Sequence, residues 1–139
     1  MSKTRVVLDT NVIISSLLFG GRPRELFQLV LKRKIVAVSS DVLLTELFET
    51  LTQKFVYPSE QLRLLERKIK KYLVIVSPKT QLHVVKDIPD NRVLEAAVEG
   101  ECHFIVTGDK ELLALGLFRN TRIVTIAQFL HNFEREDLL

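Results

Sequence analysis

The sequence predicts one α/β domain over residues 1–139, in which helices cover both faces of a parallel sheet of about five strands. The 139 residues are 47% hydrophobic and 27% charged, which is ordinary for a folded domain and argues against disorder. Short apolar runs rich in β-branched residues recur along the chain, as in strands that are buried on both faces. Segments with helical spacing separate these runs, and this alternation favours three layers around a parallel sheet.

Five of the apolar runs are predicted to be the strands. Each run is four residues long, and together the runs consist mostly of Val, Ile, Leu and Phe, which is typical of strands covered on both sides. The runs are "RVVL" (5–8), "IVAV" (35–38), "LVIV" (73–76), "HFIV" (103–106) and "RIVT" (122–125).

The segments between the runs are predicted to be helices. The N-terminal stretch 6–19 is interpreted as a first strand followed by a helix. Apolar residues recur at helical spacing in four further segments, and Gly100 ends the last of them at a natural stop. These segments are 23–34, 40–52, 59–72 and 91–100. The predicted order is strand, helix, strand, helix, helix, strand, helix, strand, helix, strand, helix.

Several classes of protein are disfavoured by the composition. No stretch reaches the roughly 18 consecutive apolar residues of a membrane span. Cys102 is the single cysteine, so no disulfide can form within the chain and a reducing cytoplasm is the expected location. The three histidines lack the paired spacing of a zinc site. The net charge of +3 is too mild to identify a partner by itself.

Two aspartates follow predicted strands and are expected at the same edge of the sheet. Asp9 ends the first strand, and Asp109 lies just beyond the fourth, in "FIVTGD". Ligands of open α/β sheets bind beyond the carboxyl ends of the strands, so this edge is the candidate site. Asp is also a favoured N-cap residue, and each of the two could instead cap the helix that follows.

Two further acidic positions are candidates for the same site. Glu46 neighbours Val42 and Leu43 on its predicted helix, although an isolated Glu on a helix is commonly a surface residue. In "KDIPDNRVLEAA", Asp90 is expected to precede a helix directly, and Asp87 lies three residues earlier in a loop. Either aspartate could bind a ligand or cap the helix.

Carboxylates that converge at one edge cannot all remain ionised without a cation. Oxygen ligands without His or Cys favour Mg²⁺ or Mn²⁺. Such ions lower the pKa of bound water and stabilise charge on an attacked phosphoryl group, which is the chemistry of phosphodiester hydrolysis.

In four motifs taken together, the chain resembles the PIN domain family of small metal-dependent ribonucleases, and within it the VapC-type toxins of toxin–antitoxin systems. The motifs span residues 5 to about 126 and are "VVLDTNVIIS", Glu46 in "SDVLLTELFETL", Asp90 in "DNRVLEAAVEG", and "FIVTGDKELL". The resemblance implies a five-stranded parallel sheet and an acidic pocket that holds Mg²⁺ or Mn²⁺.

The resemblance also assigns roles to individual residues. Asp9, Glu46, Asp90 and Asp109 would be the catalytic, metal-binding acids, with Asp9 as the central ligand. Three polar residues match positions beside the acids, and Asn11 is expected to orient Asp9 by a hydrogen bond. These residues are Thr10, Asn11 and Thr107. Asp87 departs from the family pattern and leaves open which aspartate is the third ligand.

An RNA substrate is the expected partner, and the family implies an antitoxin protein and a homodimer as further partners. Arg22 and Arg24 follow two glycines near the edge of the first strand and are the preferred contacts to the RNA backbone. The apolar segment "IAQFLHNF" or the helix 59–72 could form a dimer interface, or either could belong to the core.

Two rival functions stay under consideration. A catalytically silent RNA- or protein-binding module could share the fold, although a binder has no need for mutually repelling carboxylates. A phosphatase or receiver-type domain would use Asp9 as a phosphoryl acceptor. In "DTNVI", however, Asn11 and Ile13 replace the second Asp and the Thr of the dehalogenase-type phosphatase motif.

Overall fold

The computed structural model of the chain describes residues 3–137, without the side chains at 136 and 137. Within this range it contains a six-stranded sheet in the order β3-β2-β1-β4-β6-β5. All neighbouring strands are parallel except β5 and β6. The strands are β1 (Arg5–Leu8), β2 (Val36–Ser40), β3 (Leu73–Val76), β4 (Phe104–Val106), β5 (Leu117–Phe118) and β6 (Thr121–Val124). The five predicted parallel strands are confirmed, and the short antiparallel β5 is additional.

Helices connect the strands and form the two outer layers. They are α1 (Thr10–Leu18), α2 (Gly21–Leu31), α3 (Asp41–Lys54), α4 (Ser59–Tyr72), α5 (Ile88–Glu99), α6 (Lys110–Leu115) and α7 (Ile126–Asp137). Two helices join β1 to β2, in agreement with the helical segments predicted within 6–19 and 23–34, although the predicted order of elements lists one. In the described part of the chain, no helix combines the length and apolar character needed to cross a membrane.

Alternating residues of β1 supply the two apolar layers of the core. Val6 and Leu8 pack into a cluster with side chains of α1 to α4 and α7, while Val7 packs into a second cluster with α5. Successive side chains of a strand point to opposite faces, so a continuous apolar run buries both faces of the central strand. The three-layer α/β architecture is therefore confirmed.

Both apolar segments that were considered for a dimer interface contribute to this core. Phe129 and Leu130 of α7 are 2% and 5% exposed, and Leu65 and Ile69 of α4 are 5% and 1% exposed. The apolar faces of these helices are thus used within the chain.

The connectivity creates a switch point between β1 and β4. The chain proceeds from β1 outward to β2 and β3, and then returns to the other side of β1 with β4. Leu8 pairs with Val106, and the N–H of Asp9 donates to the carbonyl of Val106 at 3.0 Å. The residues that follow β1 and β4 consequently lie side by side in the crevice where open α/β sheets bind ligands.

Candidate metal centre

Thr107 connects the two aspartates that follow β1 and β4. Its hydroxyl donates to Asp9 Oδ2 at 2.6 Å and accepts from the backbone N–H of Asp109 at 3.0 Å. Thr107 is completely buried, so the hydroxyl that makes both bonds is shielded from water, while the two aspartates are half-buried. Asn11, which was expected to orient Asp9, is exposed within the first turn of α1, and the side-chain hydrogen bond described for the Asp9 carboxylate comes from Thr107.

Asp9 occupies the N-cap position of α1, but its side chain makes no capping hydrogen bond. Its Oδ2 accepts the hydrogen bond from Thr107 instead. Burial raises the pKa of Asp9, the Thr107 hydroxyl and the backbone amide of Thr10 lower it, and Asp109 and Asp87 raise it again. The side chain of Thr10 is itself buried.

Asp109 caps a helix and also belongs to the acidic site. It is the N-cap residue of α6, and its Oδ1 accepts from the N–H of Leu112 at 3.0 Å. This bond occupies one of the two carboxylate oxygens. The two roles that the sequence left as alternatives are therefore compatible in one side chain.

Asp87, Asp90 and Asp109 form the tightest group of carboxylates in the described residues. Each offers one oxygen, and the three oxygens lie within 4.8 Å of one another. The expectation that Asp90 precedes its helix is corrected: α5 begins at Ile88, which leaves Asp87 as its N-cap and places Asp90 in the first turn. Pro89 favours this early start because proline suits the first helical positions.

Asp90 is the most deeply buried acid of the site. It is 7% exposed, and its Oδ2 has no hydrogen-bond partner within residues 3–137. The pKa of Asp90 is raised to about 7, first by burial and then by the charges of Asp109 and Asp87. An unpartnered buried carboxylate oxygen costs free energy, so this position favours a proton or a cation.

Glu46 lies on α3 at the margin of the same site. It is half-buried, and burial followed by the charges of Asp9 and Asp87 raises the pKa of Glu46. Glu49, one turn further along the helix, is exposed as expected. All four predicted acids thus lie at one edge of the sheet, while Asp9 and Glu46 lie outside the tight group of three.

Asn91 is a site residue that the sequence did not single out. It is 2% exposed, and its Oδ1 accepts from the N–H groups of Val84 and Val85 at 2.8 and 3.0 Å. Its Nδ2 donates to the carbonyls of Val85 and Asp87 at 2.9 and 3.4 Å. Asn91 therefore fixes the loop that carries Asp87, and its position beside Asp90 in "DIPDN" is the one signal that pointed to it.

Carboxylates hold the rest of this loop against the domain. Glu99 and Glu95 of α5 accept from the N–H groups of Lys79 and Leu82, at 3.0 and 2.7 Å. Glu111 of α6 accepts from the N–H of Lys86 at 2.8 Å. The loop is thus tied to α5, which carries Asp90, and to α6, which begins directly after Asp109.

An open cavity of about 530 Å³ borders the acids. Its lining residues come from the ends of β1 and β4, from the first turn of α1 and from α6, and they are Asp9, Asn11, Gly108, Asp109, Lys110 and Glu111. The predicted RNA contacts Arg22 and Arg24 are both exposed in the first turn of α2 and do not line this cavity.

The donor set fits a hard divalent cation. The converging groups are carboxylates, and the buried Asp90 Oδ2 lacks a partner that such an ion would provide. Asp9, Glu46, Asp87, Asp90 and Asp109 are the described acids from which the ligands would be drawn.

Comparisons with known proteins agree with this architecture. The profile of the PIN domain family matches residues 5–111. An uncharacterized protein of Methanocaldococcus jannaschii is 36% identical over 118 residues, which cover 81% of this chain and 76% of that protein. A crystal structure of VapBC2 from Rickettsia felis, bound to a DNA fragment from their promoter, superposes with a TM-score of 0.60. That alignment covers 86% of this chain and 97% of the other at 13% identity, so it establishes the fold.

Proposed function

Since the chain belongs to the PIN domain family, whose members are generally nucleases, we propose that it is a Mg²⁺- or Mn²⁺-dependent endoribonuclease. The observation that carries this proposal is the convergence of three carboxylates at the starts of α5 and α6, Asp87, Asp90 and Asp109, together with the unpartnered Oδ2 of Asp90. A binding module gains nothing from this arrangement, because repulsion among the acids opposes folding when no cation is present.

Asp9, Glu46, Asp90 and Asp109 are the proposed metal ligands and catalytic acids. When bound, a divalent ion would activate water and stabilise the charge on the attacked phosphodiester. The hydroxyl of Thr107 opposes the rise in the pKa of Asp9 that burial causes, and it fixes the orientation of the carboxylate through the 2.6 Å hydrogen bond. The N–H of Leu112 holds Asp109 by its capping bond, so both carboxylates are positioned before substrate arrives.

RNA is the proposed substrate, and Arg22 and Arg24 are proposed to contact its phosphates. Both side chains are exposed, and phosphate contacts by arginine position a strand without selecting its sequence. Replacing both with Gln should raise the KM for RNA several-fold at low salt and leave kcat nearly unchanged. An unchanged KM would remove these two residues from the substrate path.

We also propose that the chain acts in the cytoplasm as the toxin of a toxin–antitoxin pair. The resemblance to the VapC group and the fold shared with Rickettsia felis VapBC2 support this assignment. Inducible expression in a bacterial host should arrest growth, and Asp9→Asn should abolish the arrest. Growth that continues during expression of active wild-type enzyme would contradict the toxin role and leave the nuclease intact.

The nuclease proposal is tested with purified protein and single-stranded RNA. We expect cleavage with Mn²⁺ or Mg²⁺, no cleavage with EDTA, and loss of cleavage in Asp9→Asn. The products should carry 5′-phosphate and 3′-hydroxyl ends, as the family resemblance suggests. Tight RNA binding without metal-dependent cleavage would instead favour a silent RNA-binding module.

A further inference from the structure

We propose that Asp87 is itself a metal ligand, so that the third acidic position of this site is a pair of carboxylates, Asp87 and Asp90. The inference rests on the proposed function only in requiring that the site bind a divalent cation. It assigns a role to a residue that departs from the family pattern.

The geometry of the three aspartates fits one shared ion. Two oxygens on opposite sides of a Mg²⁺ ion are about 4.2 Å apart, because each bond is about 2.1 Å long. The oxygens of Asp87, Asp90 and Asp109 lie within 4.8 Å of one another. Asp87 is exposed, and a small rotation of its side chain would close the difference.

The carboxylate of Asp87 is not engaged by the helix that it precedes. Asp87 is the N-cap residue of α5, a position where an Asp side chain usually bonds the first turn, yet it makes no such bond. The first turn is bonded through the Asp87 carbonyl, which accepts from the N–H of Asp90 at 3.1 Å. The side chain is therefore free to meet Asp90 and Asp109.

Asp90 provides an independent indication that a ligand belongs at this point. The residue is only 7% exposed, and its Oδ2 has no hydrogen-bond partner in the described residues. A buried carboxylate oxygen in a native protein normally has a partner. A cation shared with Asp87 and Asp109 would supply one.

The loop that carries Asp87 is held rigidly enough to place a ligand. Asn91 bonds the backbone at Val84, Val85 and Asp87, and Glu111 bonds the N–H of Lys86. Residues on both sides of the loop therefore fix the position of Asp87 relative to α5 and α6. Such preorganisation lowers the cost of assembling a metal site.

The experiment measures Mn²⁺ affinity by the electron paramagnetic resonance signal of the free ion, in the absence of RNA. Wild type is compared with Asp87→Asn, which retains capping capacity, and with Glu111→Gln, which removes one nearby negative charge and keeps an acceptor for Lys86. We expect Asp87→Asn to weaken Mn²⁺ binding about tenfold or more, and Glu111→Gln to weaken it less than about threefold.

Salt separates ligation from long-range attraction. In about 0.5 M KCl, where long-range attraction is screened, Glu111→Gln should no longer weaken Mn²⁺ binding, whereas Asp87→Asn should still weaken it. Equal effects of the two variants, or loss of the Asp87→Asn effect in salt, would overturn the role of Asp87. Circular dichroism and thermal unfolding in EDTA would confirm that both variants are folded.

The outcome for Asp87 is distinguishable from the outcome for the proposed function. If wild type binds no Mn²⁺, both proposals fail. If wild type binds Mn²⁺ and cleaves RNA while Asp87→Asn binds Mn²⁺ equally well, only the role of Asp87 fails. If Asp87→Asn loses affinity and wild type does not cleave RNA, the ligand assignment holds and the nuclease proposal fails.

Discussion

The hydroxyl of Thr107 lies 2.6 Å from Asp9 Oδ2, although the two residues are 98 positions apart in the chain. The pairing of β1 with β4 in register brings them together, because Leu8 faces Val106 and each strand ends directly before its polar residue. One buried hydroxyl thereby fixes the carboxylate of Asp9 and the backbone N–H of Asp109. The sheet register, rather than a local motif, builds the centre of the site.

Removing this hydroxyl should damage the site more than the fold. Thr107→Val retains the shape of the side chain and removes the hydroxyl donor of the Asp9 carboxylate, which further raises the pKa of Asp9. We expect Mn²⁺ affinity to fall about 10- to 100-fold, in line with other residues that orient metal ligands.

Thr121→Val is the matched control for this variant. Thr121 is also buried, and its hydroxyl donates to the carbonyl of Cys102 at 2.8 Å, away from the acids. We expect Thr121→Val to lower the free energy of unfolding by about 1–3 kcal/mol and to retain Mn²⁺ affinity. Equal Mn²⁺ affinities for the two valine variants would contradict the orienting role of Thr107.

The acids should make the stability of the metal-free protein depend on pH. The pKa of Asp90 is raised from 3.8 to about 7, and burial also raises the pKa of Asp9 and Glu46. Between these two values the folded protein retains a proton that the unfolded chain has released. The free energy of unfolding in EDTA should therefore fall as the pH rises from about 4 to about 7.

Urea denaturation at pH 5 and pH 8 measures this effect. Asp90→Asn should reduce the difference in the free energy of unfolding between pH 5 and pH 8, because the amide does not titrate. Saturating Mn²⁺ should stabilise wild type more at pH 8 than at pH 5, since the ion competes with the proton for Asp90. A wild-type protein that is equally stable in EDTA at both pH values would disprove the prediction.

Much of the fold was predictable because the buried strands are continuous apolar runs. All five predicted runs form strands, and Gly100 ends α5 as expected. The two-residue strand β5 was not predicted, because two residues carry no periodicity and pair only through the hairpin with β6. The break between α1 and α2 follows Phe19, where two glycines offered a signal that the predicted order did not use.

The site was predictable in its location and less so in its detail. Asp9 and Asp109 follow strands, so their edge of the sheet could be identified from the order of elements alone. Thr107 was predicted to lie beside the acids, but its hydrogen bond to Asp9 depends on the register of β1 and β4, which the local sequence does not reveal. The hydrogen bonds of Asn91 join backbone groups of a loop, and no sequence pattern indicates those bonds.

Gly100 should be required for the close packing of α5 against the sheet. A Cβ atom at this position would lie 2.7 Å from Cγ1 of Val38, a side chain that is 1% exposed. Gly100→Ala should lower the free energy of unfolding by about 1–3 kcal/mol, because a packed core resists an added methyl group. Gly20→Ala, where a Cβ would meet nothing within 4 Å, should change it by less than about 0.5 kcal/mol.

Chemical denaturation in EDTA compares the two alanine variants without the influence of a metal. Both should retain wild-type Mn²⁺ affinity when measured at a temperature where they are folded, because neither glycine contacts the acids. A Gly100→Ala protein as stable as Gly20→Ala would show that Val38 moves aside without cost.

Asn91 should support metal binding through the loop that carries Asp87. Asn91→Ala removes the bonds to Val84, Val85 and Asp87, so we expect faster amide exchange across 84–87 and a loss of stability of about 1–3 kcal/mol. Because Asp87 would no longer be held beside Asp90, Mn²⁺ affinity should fall as well. If Asn91 acts by positioning Asp87, its loss should add little once Asp87 is replaced by Asn. If the loss of Mn²⁺ affinity in the Asn91→Ala/Asp87→Asn double variant equals the product of the losses in the two single variants, the two residues act independently.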